Sequence, residues 1–347
     1  MLVDSPPEQR AESASAPPSR RAIRAAGLLV SVLVLALVAM GSIAIGAKEL
    51  SLGQVWHGLF QDSGTYGDVV VDERLARTLL GLLAGAALGL AGAVLQALTR
   101  NPLADPGLLG INAGASAAVV TAITFFGVTN LSGYVWFAFL GAAAVGALVW
   151  FLGGSRGATP VRLALAGTAL SAALYGYLQA VMIMDQAALG KMRFWTVGSL
   201  NSATDETIVQ VLPFLAVGML LAFGLARPLN AMAMGDDTAK ALGAHLHRTR
   251  ALSMLAATVL CGAATAACGP IVFVGLMVPH VVRSFTGPDL RWILPYAAVL
   301  SPVLLLGADV LGRIVARPAE LQVGIVTAII GGPVFIFLVR RRRTAQL

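Results

Sequence analysis

Apolar runs long enough to cross a bilayer recur along almost the whole chain, separated by short polar breaks. At about 20 apolar residues per crossing, about ten spans are predicted. They fall at 22–47, 74–99, 107–127, 134–152, 162–184, 206–226, 251–268, 270–285, 293–314 and 320–339, and the eighth is short. No alternating polar-in, apolar-out strands of about 10 residues recur, so an outer-membrane barrel is not indicated. The pattern predicts an all-α polytopic membrane protein.

Two polar breaks carry their own signals. The first reads Arg100-Asn101-Pro102-Leu103-Ala104-Asp105-Pro106-Gly107. Asn101 precedes a proline and is pushed to extended geometry. Asp105 followed by Pro106 is a helix start, with Asp capping and Pro at the first helical position. A tight hairpin is predicted there. The longest break, 227–250, contains GDDTAKALGAHLHRTR. Asp236 and Asp237 suit a helix N-terminus and Gly243 suits its end, so a short surface helix is predicted over 236–242. It is either a solvated connector or a docking helix for a partner.

Within the spans, Gly81, Gly85 and Gly89 repeat every fourth residue, and Gly110 and Gly114 do so again. Small residues at this spacing let helix backbones approach closely in lipid. Pro333, after Gly331-Gly332, should kink the last span. In the fifth span Thr168, Ser171, Tyr175, Gln179 and Met182 recur at helical spacing as a mildly polar stripe. Interhelical hydrogen bonding and a path for a bulky amphipathic solute both fit it.

Composition strengthens the membrane reading. Of 347 residues 57% are hydrophobic and 12% charged, and mean hydropathy is +0.81. A soluble domain carries about 25% charged residues. The net charge of +7 does not point to nucleic acid. The basic residues sit at span ends, and no basic stripe with interleaved aromatics occurs. With the N-terminus inside, only Lys48, Arg74, Arg77, Lys191, Arg193, Arg313 and Arg317 of 24 Lys and Arg lie outside. The bias predicts an even number of spans with both termini in the cytosol. Residues 1–21 are expected to be a disordered cytosolic tail, 22–340 the membrane domain, and 341–347 a basic cytosolic end. The run 22–47 is too long for a cleaved signal and reads as a retained span.

Candidate chemistry is sparse. No G-x-x-x-x-G-K-[ST] occurs, so ATP is not bound by a P-loop of this chain. Ionisable residues are nearly absent deep in the spans, which argues against an ion-coupled secondary carrier, the alternative from another class. His280, in VPHVVR, reads as structural. Cys261 and Cys268 share one apolar helix and read as packing residues, so no metal, cofactor or catalytic site is indicated. Arg74, Arg77, Arg313 and Arg317 sit at span ends on the face where positive charge is disfavoured. They are either snorkelling anchors or a surface for an acidic partner. Asp309, four residues before Arg313, could neutralise it within the helix.

The segment RLARTLLGLLAGAALGLAGAVLQALTRNPLADPGLLGINAGA resembles the signature of the FecCD family. These are membrane permeases of ATP-binding-cassette importers for ferric siderophores, haem and vitamin B12. The likeness continues through LALAGTALSA, FWTVGSL, GDDTAKALG, GPIVFVGLMVPHVVR and AELQVGIVTAIIGGPVFIFLV, and covers nearly everything from about residue 50 to 340. The resemblance implies a ten-helix, type II importer permease fold. It implies a homo- or heterodimer of permease subunits, two cytosolic ATPase subunits beneath and an extracytoplasmic solute-binding protein above. Gly235, Asp236, Asp237, Ala239, Leu242 and Gly243 resemble the helix that couples to the ATPase. Arg74, Arg77 and Arg313 resemble the family's outer-face arginines, which pair with acidic residues of the binding protein. Thr159, Pro160 and Val161 resemble the place where the family's cytosolic gate closes. Small hydroxyl residues are common there, and Pro160 and Val161 depart from that. The implied activity is ATP-driven uptake of a ferric siderophore by alternating access, with cobalamin or haem as alternative cargo.

Overall fold

The computed structural model describes residues 20–46, 50–60, 65–128, 130–154, 160–241 and 243–344. The expected tail lies outside the described residues except for Arg20 and Arg21, which begin a helix. Thr159, Leu242 and 345–347 also lie outside them, as does the side chain of Pro160.

The described residues form fourteen α-helices and one 3-10 turn. They are α1 Arg20–Ala44, α2 Leu52–Phe60, α3 Tyr66–Leu98, the turn Pro106–Leu109, α4 Ile111–Phe126, α5 Leu131–Gly154, α6 Pro160–Met184 and α7 Gln186–Trp195. There follow α8 Asp205–Gly224, α9 Ala226–Ala233, α10 Asp236–Ala241, α11 Leu246–Cys268, α12 Val274–Thr286, α13 Leu290–Val315 and α14 Val323–Thr344. Each of the ten expected spans lands on one of α1, α3, α4, α5, α6, α8, α11, α12, α13 and α14. Seven of these are long and apolar enough to cross a membrane, while α4 and the apolar part of α14 are shorter. The helices α2, α7 and α9 were not expected.

Two helices make the centre. The apolar window of α3 is 83% buried and that of α11 78%, against 11% for α1 and 17% for α6. The α3 helix, 33 residues, is about 50 Å long and outreaches a hydrocarbon core of about 30 Å. It therefore runs from one end of the bundle, marked by Arg77, to the other, where Arg100 meets Asp236.

Glycine sets the helix spacing. A Cβ on Gly81 would lie 2.4 Å from Leu306, one on Gly85 2.6 Å from Pro302, and one on Gly89 2.0 Å from Ser301, so this face of α3 lies directly on α13. Gly92 turns toward α12, where a Cβ would meet the Gly275 carbonyl at 1.8 Å. Gly114 and Gly141 do the same for α4 and α5, each Cβ falling within 2.5 Å of the other's carbonyl oxygen.

The short eighth span has a physical explanation. At 13 residues α12 is about 20 Å long and cannot cross alone. Residues 269–273 reach it as non-helical chain, with Gly269 and Phe273 both at positive φ. Irregular backbone at membrane depth survives where protein covers it, and here Gly269 and Ile271 are buried while Val272 is exposed. Pro279 has no N–H for the Gly275 carbonyl. The buried Gln96 of α3 supplies donors instead, with Nε2 3.0 Å from the Leu276 oxygen and 3.4 Å from that of Gly275.

Candidate functional site

At the Arg100 break the expected capping is present. Asp105 Oδ1 accepts from the Gly107 N–H at 2.7 Å, and Pro106 takes the first position. The third span then divides. Its first turn is 3-10, and Gly110 at φ +75° starts α4, a backbone geometry that favours glycine. Burial pushes the Asp105 carboxyl up, and the Gly107 hydrogen bond only partly offsets this.

The break joins the start of α6. Thr99, Asn101 and Asp105 share a cavity of about 370 Å³ with Val161 and Thr168. Further along α6, Tyr175 and Gln179 are exposed, and Ser171 and Met182 are half-buried. The hydroxyls of Thr168 and Ser171 donate to the Ala164 and Gly167 carbonyls of their own helix, at 2.7 and 2.8 Å. Among the described residues neither hydroxyl bonds to another helix. Ala169, Ala172, Ala173, Gly176 and Ala180 are also exposed, and they make this face of α6 small-residued as well as mildly polar.

Beside the break lies α10, described over Asp236–Ala241. Its Asp236 carboxylate is shared. One oxygen accepts from Arg100 at the end of α3, the other from Arg250 in the first turns of α11 at 2.6 Å. Burial would raise this carboxyl, but the two guanidinium groups outweigh it and hold it below the usual carboxylate range. Gly235 and Gly243, at φ +106° and +81°, bracket the helix, Ala239 is its buried anchor, and Asp237 and Lys240 face solvent.

The opposite end differs from the surface the sequence suggested. Arg74, Arg77 and Arg313 are buried, at 7%, 9% and 1% exposure. Arg77 donates to both oxygens of Asp309, at 2.7 to 3.2 Å, and to Glu320 at 2.7 Å. Arg313 pairs with Asp309 at 3.1 Å, as the i,i+4 spacing anticipated, and also donates to the carbonyl and hydroxyl of Ser42. Arg74 donates to the Ile43 and Ala44 carbonyls, the orphan acceptors at the end of α1. The physical reason is Asp309, fully buried between two guanidinium groups, which draws them inward. All three arginines still line a recess of about 520 Å³ with Glu73, Asn201 and Glu320. Burial alone would raise the Glu320 carboxyl, but Arg77 holds it down.

Cys261 and Cys268 are buried in α11. The Cys261 thiol and the Thr265 hydroxyl both approach Asn112 Oδ1, at 3.6 and 2.9 Å. Among the described residues no cluster of His, Cys, Asp and Glu could hold a metal ion.

Residues 32–341 match the FecCD transport family. The chain belongs to that family. Over 328 residues it is 47% identical to the ferric enterobactin transport system permease protein FepD of Escherichia coli strain K12, covering 93% of this chain and 96% of that one. It is 38% identical to the Fe(3+)-citrate import system permease protein YfmD of Bacillus subtilis strain 168, over 92% of this chain and 96% of the relative. A solved inward-facing structure of a metal-chelate type ABC transporter superposes with a TM-score of 0.81 at 28% identity, over 91% of this chain and 99% of that chain. This FecCD permease is therefore a multi-pass inner-membrane subunit of an ABC importer, not a catalytic enzyme, and it works with ATPase partners and a substrate-binding protein.

Proposed function

We propose that this permease carries a ferric siderophore inward by alternating access, as one half of a dimer of like or unlike permease subunits. The observation that carries the reading is the α6 face. Among the described residues it is exposed, small-residued and mildly polar, and its start shares a cavity with the Arg100 break. Small residues permit close helix approach in lipid, and neutral hydroxyl and amide groups suit a bulky polar chelate. Thr168, Ser171, Tyr175, Gln179 and Met182 line the path on this reading, and the gate lies at Val161 with its neighbours Thr159 and Pro160.

The Asp236 end faces the cytosol, together with both termini, because the positive charge concentrates there. Here α10 seats in the ATPase subunit, and Asp236 passes its displacement to α3 through Arg100 and to α11 through Arg250. The Arg77 end faces the binding protein, whose acidic side chain enters the recess lined by Arg74, Arg77 and Arg313. The iron chelate named for FepD and YfmD supports siderophore over the alternatives. The binding protein's affinities test this. Tightest binding of a ferric siderophore supports the proposal, while tightest binding of haem or cobalamin moves the cargo to that class.

A further inference from the structure

A second cavity, about 700 Å³, opens between α8, α9 and the first turns of α11. It falls in the roughly 300–1,000 Å³ range of small-molecule sites. Its wall is apolar and comes from membrane-spanning helices: Val217, Leu220 and Leu221 of α8, and Leu252 of α11. Val217 and Leu220 are 53% and 74% exposed, so the wall continues the lipid-facing surface. Its mouth carries Arg227 and Arg248. Among the described residues neither makes an ion pair or a side-chain hydrogen bond, in contrast to Arg250, which Asp236 holds. The N-terminus of α11 opens on the same mouth. His245, at its cap position, makes no side-chain capping bond, which leaves first-turn N–H groups without that acceptor.

We propose that this groove binds one anionic phospholipid, with an acyl chain along Val217, Leu220 and Leu221 and its phosphate against Arg227, Arg248 and the start of α11. The chemistry follows from the juxtaposition. An apolar trough open to lipid takes a hydrocarbon chain. Two unpaired guanidinium groups beside an uncapped helix N-terminus take a phosphate, and a basic pocket between membrane helices is the setting in which anionic headgroups are held. A zwitterionic lipid would offer the same chain but would bring its own cation to the mouth. On the topology proposed above the lipid belongs to the inner leaflet. The binding itself does not depend on which cargo is transported.

The test uses the assembled importer complex, delipidated in detergent and titrated with dioleoyl phosphatidylglycerol or dioleoyl phosphatidylcholine, with bound lipid counted by native mass spectrometry. The wild type is expected to prefer phosphatidylglycerol. The double variant Arg227→Gln/Arg248→Gln is expected to lose about 25-fold in affinity for it and little for phosphatidylcholine. Arg193→Gln, which removes an exposed cation outside the groove, is expected to leave both unchanged. Photoactivatable phosphatidylglycerol should label the segments 217–225 and 246–252 of the unmutated complex, which keeps the proposal testable if the double variant fails to fold. Equal affinity for the two lipids, or an equal loss in Arg193→Gln, would overturn it. Displacement of the lipid by glycerol phosphate would assign the mouth to a free phosphate and also overturn it. Labelling only of the permease stripped of its ATPase subunits would do the same, assigning the groove to the ATPase interface.

Discussion

Arg77 of α3 and Asp309 of α13 form a buried bidentate pair, with Nη2 2.7 Å and Nε 3.0 Å from the carboxylate, although they stand 232 positions apart. The same carboxylate neutralises Arg313, so one aspartate ties α3, α13 and, through Ser42, the end of α1. Removing one partner of a buried pair leaves an uncompensated charge. Asp309→Ala would leave Arg313 without a carboxylate and Arg77 with Glu320 alone, and is expected to cost about 3–5 kcal/mol. Glu320→Gln, at the wetter edge of the cluster, is expected to cost about 1 kcal/mol or less. Thermal unfolding of the purified permease in detergent separates the two, and equal midpoints would contradict the ranking.

Asp236 is the carboxylate that links α10 to both α3 and α11. These pairs are partly exposed, so Asp236→Asn is expected to change stability little. Its expected effect is on coupling, with ATP hydrolysis by the complex persisting while uptake falls several-fold. The folded carboxyl lies below its ordinary value of about 3.9, so the clamp is complete above that pH and is lost as pH falls below it. Uptake between neutral pH and pH 5 should therefore show no step from this group. Paired loss of hydrolysis and uptake would make Asp236 merely structural.

Gly92 is irreplaceable in a way that most glycines here are not. A Cβ would meet the backbone oxygen of Gly275 at 1.8 Å, and no side chain can swing aside to admit it. Gly92→Ala should force α3 and α12 apart and cost at least about 1–3 kcal/mol. Gly41→Ala in α1, with nothing within 4 Å, should be neutral or slightly stabilising. Expression and unfolding midpoint of the two variants give the comparison.

The spans, the hairpin break and the glycine face of α3 were legible because periodicity and spacing are local properties of sequence. The helix at α10 was legible from Asp236, Asp237 and Gly243 for the same reason. The short helices α2, α7 and α9 were not, since eight to ten residues of mixed character carry too little pattern. The arginine cluster was half legible. Asp309 and Arg313 announce themselves at i,i+4, but nothing local says that Arg77 will reach Asp309 and Glu320 from 232 and 243 positions away. Without that, Arg77 reads as a surface residue. The Asp236 clamp is similar, because Arg100 comes from 136 positions earlier.

Asp289 and Asn230 fasten α9 to α13. The Asn230 amide donates to Asp289 at 2.7 Å and accepts the Leu290 N–H at 2.9 Å. Hydrogen bonds from Arg291 hold the Asp289 carboxyl at about 2, with Asn230 adding to the effect and burial opposing it. Because the folded value is depressed, this stabilisation is complete above about pH 4 and is lost as pH falls toward 2. Asp289→Asn should flatten that part of the acid-unfolding curve. An unchanged acid limb would contradict the assignment.

On the proposed function, this chain forms half of the path of an ATP-driven importer for a ferric siderophore. Uptake of a radiolabelled ferric siderophore into proteoliposomes tests it most directly, comparing the complete complex plus ATP with the permease alone under a proton or sodium gradient. Accumulation only in the complete complex, and only with hydrolysable ATP, is the expected result. Gradient-driven uptake by the permease alone, or no ATP-dependent uptake of any ferric chelate by the complex, would contradict it.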